Sequence, residues 1–261
     1  MNIFLLLGML IGFGGIVGGF MAEGGTAAAI MKLPALMIVL GGTVGIAFIA
    51  CPIGSIRLIP RALKTILFHR KHKYPELVDM LCDIAKKARK DGLLSLESEA
   101  NHATNPFIRM GLGYIADGVD PDFLKKVLTN EIEAETRKLS DAGRVFDSMG
   151  GTSPTMGVLG TVMSMTTVLG HMGSDTSKIG IEIAGAFVAT LYGIGIANLV
   201  WLPLGSHIRL TAEAEENYLN VILEGLLAIQ AGEPSSRLRD RLYARIGNTG
   251  KGKARTEEPQ A

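Results

Sequence analysis

The chain has 261 residues, of which 48% are hydrophobic, and it carries 26 Lys and Arg against 25 Asp and Glu, for a net charge of +1. A charge this evenly balanced gives no bulk attraction to nucleic acid, so we expect no nucleic-acid partner. The sequence has no phosphate-binding loop, CxxC pair, HExxH motif or nucleophile elbow, which argues against an enzyme and against a permanently bound metal or cofactor.

Four stretches of the chain contain no Lys, Arg, Asp or Glu, and each exceeds the roughly 18 residues that a membrane-spanning helix needs. They are residues 1–22, 33–56, 148–174 and 183–208. Of the 26 basic residues, 16 lie in residues 57–147 and 8 in residues 209–261. Because basic residues near span ends stay in the cytoplasm, both segments and both termini are predicted to be cytoplasmic. The predicted fold class is an all-α integral membrane protein with four transmembrane helices, a large helical cytoplasmic domain between the second and third, and a helical C-terminal extension.

The first stretch has a face of small residues, with glycines three or four residues apart at Gly8, Gly12, Gly15 and Gly19. Such a face lets helix backbones approach closely in lipid, either within one subunit or between subunits. The stretch has no basic segment before it and no clear cleavage site, so we expect it to be retained rather than removed as a signal peptide.

The cytoplasmic segments are predicted to be helical from their apolar periodicity. Beyond the second stretch, apolar residues recur among basic ones, which is typical of a helix at the headgroup level: Leu58, Ala62, Ile66 and Leu67. A second stripe comprises Leu77, Met80, Leu81, Ile84 and Ala88. A helix start at Asp120 and Pro121 is expected to continue towards the third stretch. The C-terminal helix should stop near Gly232 and Pro234, followed by a short basic helix and a polar, disordered tail from Asn248.

The third stretch, SMGGTSPTMGVLGTVMSMTTVLGHMGS, is rich in Ser, Thr and Gly and is poorly suited to face lipid. Hydroxyls and a proline at membrane depth are tolerated where neighbouring helices or a wet path satisfy the polar groups. On an ideal helix Pro154, Gly157, Thr161, Ser164 and Val168 share one face. We therefore predict that this helix faces the protein interior, beside a polar neighbour or a wet path. The alternative is that its hydroxyls bond to carbonyl groups of their own helix.

The fourth stretch offers Thr190, with Gly193 and Ala197 on the same side, and Pro203 near its end. None of the four stretches contains a carboxylate, whereas proton or sodium coupling in a membrane generally uses an ionisable group with a partner. If the chain conducts cations, another protein is expected to supply the carboxylate.

Three motifs give the chain a resemblance to a known family: SPTMGVLGTV around Pro154, TLYGIGIANLVWLPL ending beyond Pro203, and AKKARKDGLLSLE in the cytoplasmic segment. Over almost its full length the chain resembles the flagellar stator A subunit of the MotA and PomA type. The resemblance implies a protein of the bacterial inner membrane, five copies of which surround a dimer of a B subunit, MotB or PomB. The single transmembrane helix of that partner carries the essential aspartate. Ion passage between A and B turns the ring, and the cytoplasmic domain pushes the rotor protein FliG.

The resemblance also implies roles for particular residues. Pro154 and Pro203 match the two functional prolines of the family, and with Gly157, Thr161, Ser164 and Thr190 they are expected to face the ion pathway and the partner helix. Arg89 and Glu97 match the charged pair that meets the rotor, with Lys90 beside them; a solvated helix face is the alternative for these charges.

The coupling ion is expected to be sodium, with protons as the alternative. Sodium-driven members of the family have threonines in the third and fourth spans, whereas proton-driven members have alanine at the third-span position. Thr161 and Thr190 occupy these positions and would contact a transient Na⁺. Ala189 stands where the sodium type often has a second threonine, so one possible ligand is missing.

Two other functions fit the sequence less well than a stator A subunit does. An energiser subunit of the ExbB and TolQ type has three spans and an external N-terminus, and the four charge-free stretches argue against it. A stand-alone channel or transporter is expected to carry its own membrane carboxylate or inverted repeats, and neither is found in the sequence.

Overall fold

The computed structural model describes residues 3–68, 72–171 and 179–247, and all regular secondary structure in these ranges is helical. This confirms the all-α fold class for the described residues. The chain divides into two compact units. The first unit comprises residues 1–69 and 138–211, and the second comprises residues 70–137 and 212–261.

The helices follow one another with short connections. In chain order they are α1 Ile3–Ala22, α2 Ala27–Ile30, α3 Leu33–Ala50, α4 Ile53–Phe68, α5 Tyr74–Asp91, α6 Leu96–His102, α7 Pro106–Ala116, α8 Pro121–His171, α9 Ile179–Ile196, α10 Leu202–Gln230 and α11 Ser235–Ile246. A 3₁₀ turn at Leu93–Ser95 precedes α6, and a π-helical turn at Ala197–Trp201 separates α9 from α10. The predicted disordered tail from residue 248, and residues 172–174 of the third charge-free stretch, lie outside the described residues.

Local sequence signals set the ends of the long helices. The Asp120 carboxylate accepts the backbone N–H groups of Asp122 at 2.9 Å and Phe123 at 3.2 Å, so α8 begins where the sequence predicts. The helix then continues for 51 residues, as expected, into the third charge-free stretch. At the other end of the chain, α10 stops at Gln230 before Gly232, whose φ of 69° lies in the left-handed region that favours glycine.

Three helical segments of the described chain are long and apolar enough to cross a membrane: Phe4–Ala22, Leu33–Ala50 and Ile179–Gln230. The charge-free part of α8 is not among them. Its serines, threonines and glycines lower its hydropathy, although its length is sufficient. The count of four spans therefore stays a prediction.

The core of the first unit joins α4 to the two long helices. Ala62 and Ile66 on α4 are each 1% exposed, and they pack with Ala142 and Phe146 of α8 and with Ile208 of α10. The amphipathic helix predicted after the second stretch is thus present, and its apolar face is buried within the chain.

Helix α1 makes little use of its glycine face within the chain. A Cβ added at Gly12 would lie 2.6 Å from a terminal methyl of Leu199, so this glycine packs tightly. Added Cβ atoms at Gly8, Gly15 and Gly19 would meet nothing within 4 Å. Packing within one chain accounts for Gly12 alone among the four glycines.

The second unit is built around a buried stripe on α5. As predicted, the stripe contains Leu77, Leu81, Ile84 and Ala88. The prediction was wrong for Met80, which is 44% exposed. With a 100° step per residue, its side chain falls about 40° outside the arc that the other four cover.

Candidate functional site

Helices α8 and α9 touch backbone to backbone at two glycines. A Cβ added at Gly157 would lie 2.9 Å from the carbonyl oxygen of Ala189 and 3.1 Å from the Cα of Gly193. A Cβ added at Gly193 would lie 2.7 Å from the carbonyl oxygen of Ser153 and 2.8 Å from the Cα of Gly157. These neighbours are main-chain atoms, which no change of rotamer can move. The crossing therefore requires glycine on both helices.

The crossing brings the two predicted ion-pathway threonines together. Thr161 lies one turn after Gly157 on α8, and its Oγ1 is 2.6 Å from the Oγ1 of Thr190 on α9. The same Thr161 oxygen is 3.2 Å from the carbonyl oxygen of Gly157 and 3.1 Å from that of Ala186. A hydroxyl has only one hydrogen to donate, so these oxygens compete for it. The result is a cluster of oxygens from both helices. The Thr161 hydroxyl has one acceptor on its own helix α8 and further oxygens within reach on α9.

The turns that hold Pro154 and Pro203 also lie near each other. Pro154 sits inside α8, and its missing N–H removes one bond to the carbonyl of Gly150. A Cβ added at Gly150 would be 2.4 Å from a methyl of Leu202 and 3.5 Å from its backbone nitrogen. Leu202 immediately precedes Pro203, so one close contact links the two proline-containing turns.

A π-helical turn stands just before Pro203 and was not predicted from the sequence. The N–H of Leu202 bonds to the carbonyl of Ala197, five residues earlier. Pro203 has no N–H to donate to the carbonyl of Leu199, so the helical hydrogen-bonding pattern must change here. The position of Pro203 was the sequence signal that could have predicted an irregular turn. Such turns occur frequently at functional sites.

Ser164 follows Thr161 by one turn and lines a cavity of about 290 Å³ together with Lys32, Thr167 and Glu182. Neither charged residue was predicted from the sequence as part of the site. Helix α9 begins at Ile179, four residues before the fourth charge-free stretch, and therefore contains Glu182 in its first turn. Glu182 and Thr190 are eight positions apart, which is about two turns, and this spacing could have placed both on one side of the helix.

An ion pair connects α8 and α10 in the first unit. Asp147 and Arg209 directly flank the third and fourth charge-free stretches, and the Arg209 guanidinium donates to the Asp147 carboxylate. A Cβ added at Gly205 would lie 2.6 Å from the Asp147 Oδ1, so glycine leaves room for the pair. The side chains are 41% and 34% exposed, and the pair is expected to contribute at most about 1 kcal/mol. The pair joins α8 to α10.

The three residues predicted to contact the rotor are exposed and lie in the second unit. Arg89 and Lys90 are in the last turn of α5, and Glu97 is in the first turn of α6. Between these helices, Lys87 Nζ contacts Glu99 Oε1 at 2.6 Å, and this hydrogen bond raises the pKa of Lys87. The bridge joins the two helices that carry the predicted rotor contacts.

Comparison with known proteins decides the family. Residues 6–92 match the family model described as Motility protein A N-terminal, and residues 99–220 match the MotA/TolQ/ExbB proton channel family. Motility protein A of Treponema phagedenis is 34% identical over 245 residues, which cover 90% of this chain and 92% of that protein. The chain belongs to the motility protein A family. The resemblance inferred from the three motifs is confirmed.

Solved structures show the same fold. The flagellar MotAB stator complex from Bacillus subtilis matches with a TM-score of 0.85 and 28% identity, over 93% of this chain and 95% of that one. C. jejuni MotAB matches with a TM-score of 0.90 and 24% identity, over 95% of this chain and 97% of that one. The helical architecture of this motility protein A family member is therefore that of the MotAB stators.

Gly157→Ala is expected to push α8 and α9 apart, because the added methyl group would overlap main-chain atoms. Overpacking of this kind costs about 1–3 kcal/mol, which corresponds to a melting temperature lower by roughly 2–10 °C. Thermal unfolding of the detergent-solubilised protein measures the change. Gly195→Ala is the matched control, because an added Cβ there meets nothing within 4 Å. Equal melting temperatures for the two variants would contradict the backbone contact.

Proposed function

We propose that this protein is the A subunit of a flagellar stator, which couples cation flow across the bacterial inner membrane to torque on the rotor. The observation that carries the proposal is the cluster of hydroxyl and carbonyl oxygens around Thr161 and Thr190 at the glycine crossing. The similarity to the MotAB stator complex from Bacillus subtilis supports a MotB-type or PomB-type partner with a single transmembrane helix.

The oxygen cluster is suited to pass a cation but not to hold one alone. Hydroxyl and carbonyl oxygens replace part of the hydration shell of the ion, yet they supply no net charge. Ser153 adds a fully buried hydroxyl one turn before Gly157, and it has no hydrogen-bond partner among the described residues. Within those residues, no group of three or more His, Cys, Asp or Glu could hold a metal ion. The aspartate of the B subunit would therefore supply the missing charge.

The second unit would deliver the torque. Arg89, Lys90 and Glu97 would contact the rotor protein FliG, and five copies of the chain would surround a dimer of the B subunit. Helix α8 extends from Pro121 to His171, and so one helix contains both Thr161 and residues of the second unit. In this arrangement both termini would be cytoplasmic.

A stand-alone channel is the second candidate, because Glu182 gives α9 a carboxylate that the charge-free stretches had lacked. The cavity that Glu182 lines begins one turn from the threonine pair, so a carboxylate of this chain lies near the path. Ion flux with and without a B subunit separates the two candidates.

In vesicles that contain this protein alone, we expect no measurable cation flux, whereas vesicles that also contain the B subunit should conduct. The physical reason is that the threonine cluster offers no charge to compensate for the loss of the ion's hydration shell. Influx is measured with a fluorescent dye for sodium and another for protons. Flux from the chain without its partner would support the stand-alone channel and refute the stator assignment.

Thr161→Ala is expected to raise the sodium concentration needed for half-maximal swimming speed by about tenfold, since losing one ligand costs about 1.4 kcal/mol. Swimming speed is measured against sodium concentration at fixed pH. Thr166→Ala is the matched control, because the Thr166 hydroxyl is exposed and bonds to the carbonyl of Met163 on its own helix. Wild-type speed that ignores sodium would assign the protein to proton coupling instead.

Arg89→Glu and Glu97→Lys are each expected to reduce swimming several-fold while leaving assembly and ion flux unchanged, because both side chains are exposed in the second unit. Motility in soft agar and ion flux in vesicles are compared for each variant. Lys125→Glu reverses an exposed charge on α8 and serves as the control. Normal swimming after reversal of Arg89, Lys90 and Glu97 together would show that torque passes through other residues.

A further inference from the structure

We infer that Lys32 and Glu182 form the charged mouth of the ion path, where Glu182 attracts the incoming cation and Lys32 limits that attraction. This inference rests on the proposed function, because it concerns how the same path takes up its ion. Nothing in the sequence motifs pointed to either residue.

The mouth is a cavity of about 290 Å³ bounded by α8, α9 and the start of α3. Four of its lining side chains among the described residues are polar: Lys32, Ser164, Thr167 and Glu182. Within the described part of the chain, Lys32 and Glu182 are the charged residues that line it, and both are half-buried. A cavity with hydroxyls and one charge of each sign is suited to a small hydrated cation.

The cavity adjoins the threonine cluster through Ala186. Ala186 lines the cavity, and its carbonyl oxygen is 3.1 Å from the Thr161 hydroxyl. On α8, Ser164 lies one turn beyond Thr161, and on α9, Glu182 lies one turn before Ala186. An ion that leaves the cavity along this shared face meets the two threonines next.

Lys32 is held in place from two sides. Its backbone N–H donates to the Tyr192 hydroxyl at 3.3 Å, and that hydroxyl donates in turn to the carbonyl of Ile30. Its side chain lies over Gly185, where an added Cβ would be 3.2 Å from both Cε and Nζ. Gly185 is one turn from Glu182, so the ammonium group lies against the turn of α9 that follows the carboxylate-bearing residue.

Opposite charges at one mouth balance capture against release. Conduction requires that an ion bind well enough to enter and weakly enough to leave. A unit charge 8 Å away in water changes the local concentration of a monovalent ion about two-fold, and a lower dielectric makes the factor larger. Removing one charge at a time should therefore shift cation uptake in opposite directions.

The test uses the full chain with its B subunit in vesicles, and it measures initial influx against external sodium and, separately, against external pH. The ion whose gradient drives flux in the wild type is the one for which the half-saturating concentrations of the variants are compared. Glu182→Gln is expected to raise the half-saturating cation concentration about two- to ten-fold, and Lys32→Gln to lower it by a similar factor. The double variant should return close to the wild type, and the maximal flux should stay nearly constant.

Two controls separate charge from structure. Glu23→Gln removes an exposed acid in the connection between α1 and α2 that does not line the cavity, and it should have no effect. Inert choline chloride should shrink the shifts, because salt screens charges beyond a few ångströms at high concentration. Glu182→Asp, which keeps the charge, should shift uptake less than Glu182→Gln.

The inference is overturned if Glu182→Gln and Lys32→Gln shift uptake in the same direction, leave it unchanged, or respond equally at low and high salt. If Glu182→Gln fails to fold, Lys32→Gln and Glu182→Asp still decide the sign of the charge effect. Wild-type complex that conducts neither ion refutes the proposed function itself, which is a different result.

Discussion

The backbone contact between Gly157 and Gly193 is the constraint on which the candidate site depends. At this point α8 and α9 are so close that a Cβ on either glycine would lie within 3.1 Å of main-chain atoms of the other helix. Glycine inside a helix costs about 1 kcal/mol relative to alanine, and close packing in lipid offsets that cost. The contact sets the distance between the hydroxyls of Thr161 and Thr190, and it brings the carbonyl of Ala186 within reach. Any larger residue at the crossing would separate the oxygens of the threonine cluster.

Features that depend on neighbouring residues could be predicted from the sequence. Features that depend on contacts between residues far apart in the chain could not. The start of α8 at Pro121, the end of α10 at Gln230 and the short helix α11 follow from caps, glycines and periodicity. The inward face of Pro154, Gly157 and Thr161 also follows from helical spacing. The partner of that face is fixed by a contact between residues 36 positions apart, which no local pattern reveals. The π turn before Pro203 likewise depends on how the chain reconnects bonds that the proline cannot make.

The charged residues of the cavity were missed for a related reason. Spans were delimited by the absence of charge, so the first charged residue automatically fell outside each predicted span. Helix α9 nevertheless begins at Ile179, and an acid in its first turn is favoured by the positive end of the helix dipole. Tyr192 brings Lys32 near α9 by hydrogen bonds to the connection before α3. The serines and threonines of α8 lower its hydropathy, which is why this helix is not among the three segments apolar enough to span a membrane. Thr161, one of these residues, also supplies an oxygen of the threonine cluster.

The positions of the charges bear on which end of the proposed ion path would control cation capture. Thr161 lies 14 residues after Asp147, which is about 21 Å along α8, and Asp147 is neutralised by Arg209. On the opposite side, Glu182 precedes Thr190 by eight residues, or about 12 Å along α9. Lys32 and Glu182 also carry opposite charges, so both sites are without net charge, and distance from the threonines distinguishes them. The cavity is the nearer site, so removing one of its charges would act more strongly on the proposed ion path than removing Asp147 would. Under the proposed stator function, capture would then be tuned by this chain, whereas the partner's aspartate would compensate the ion's charge within the path.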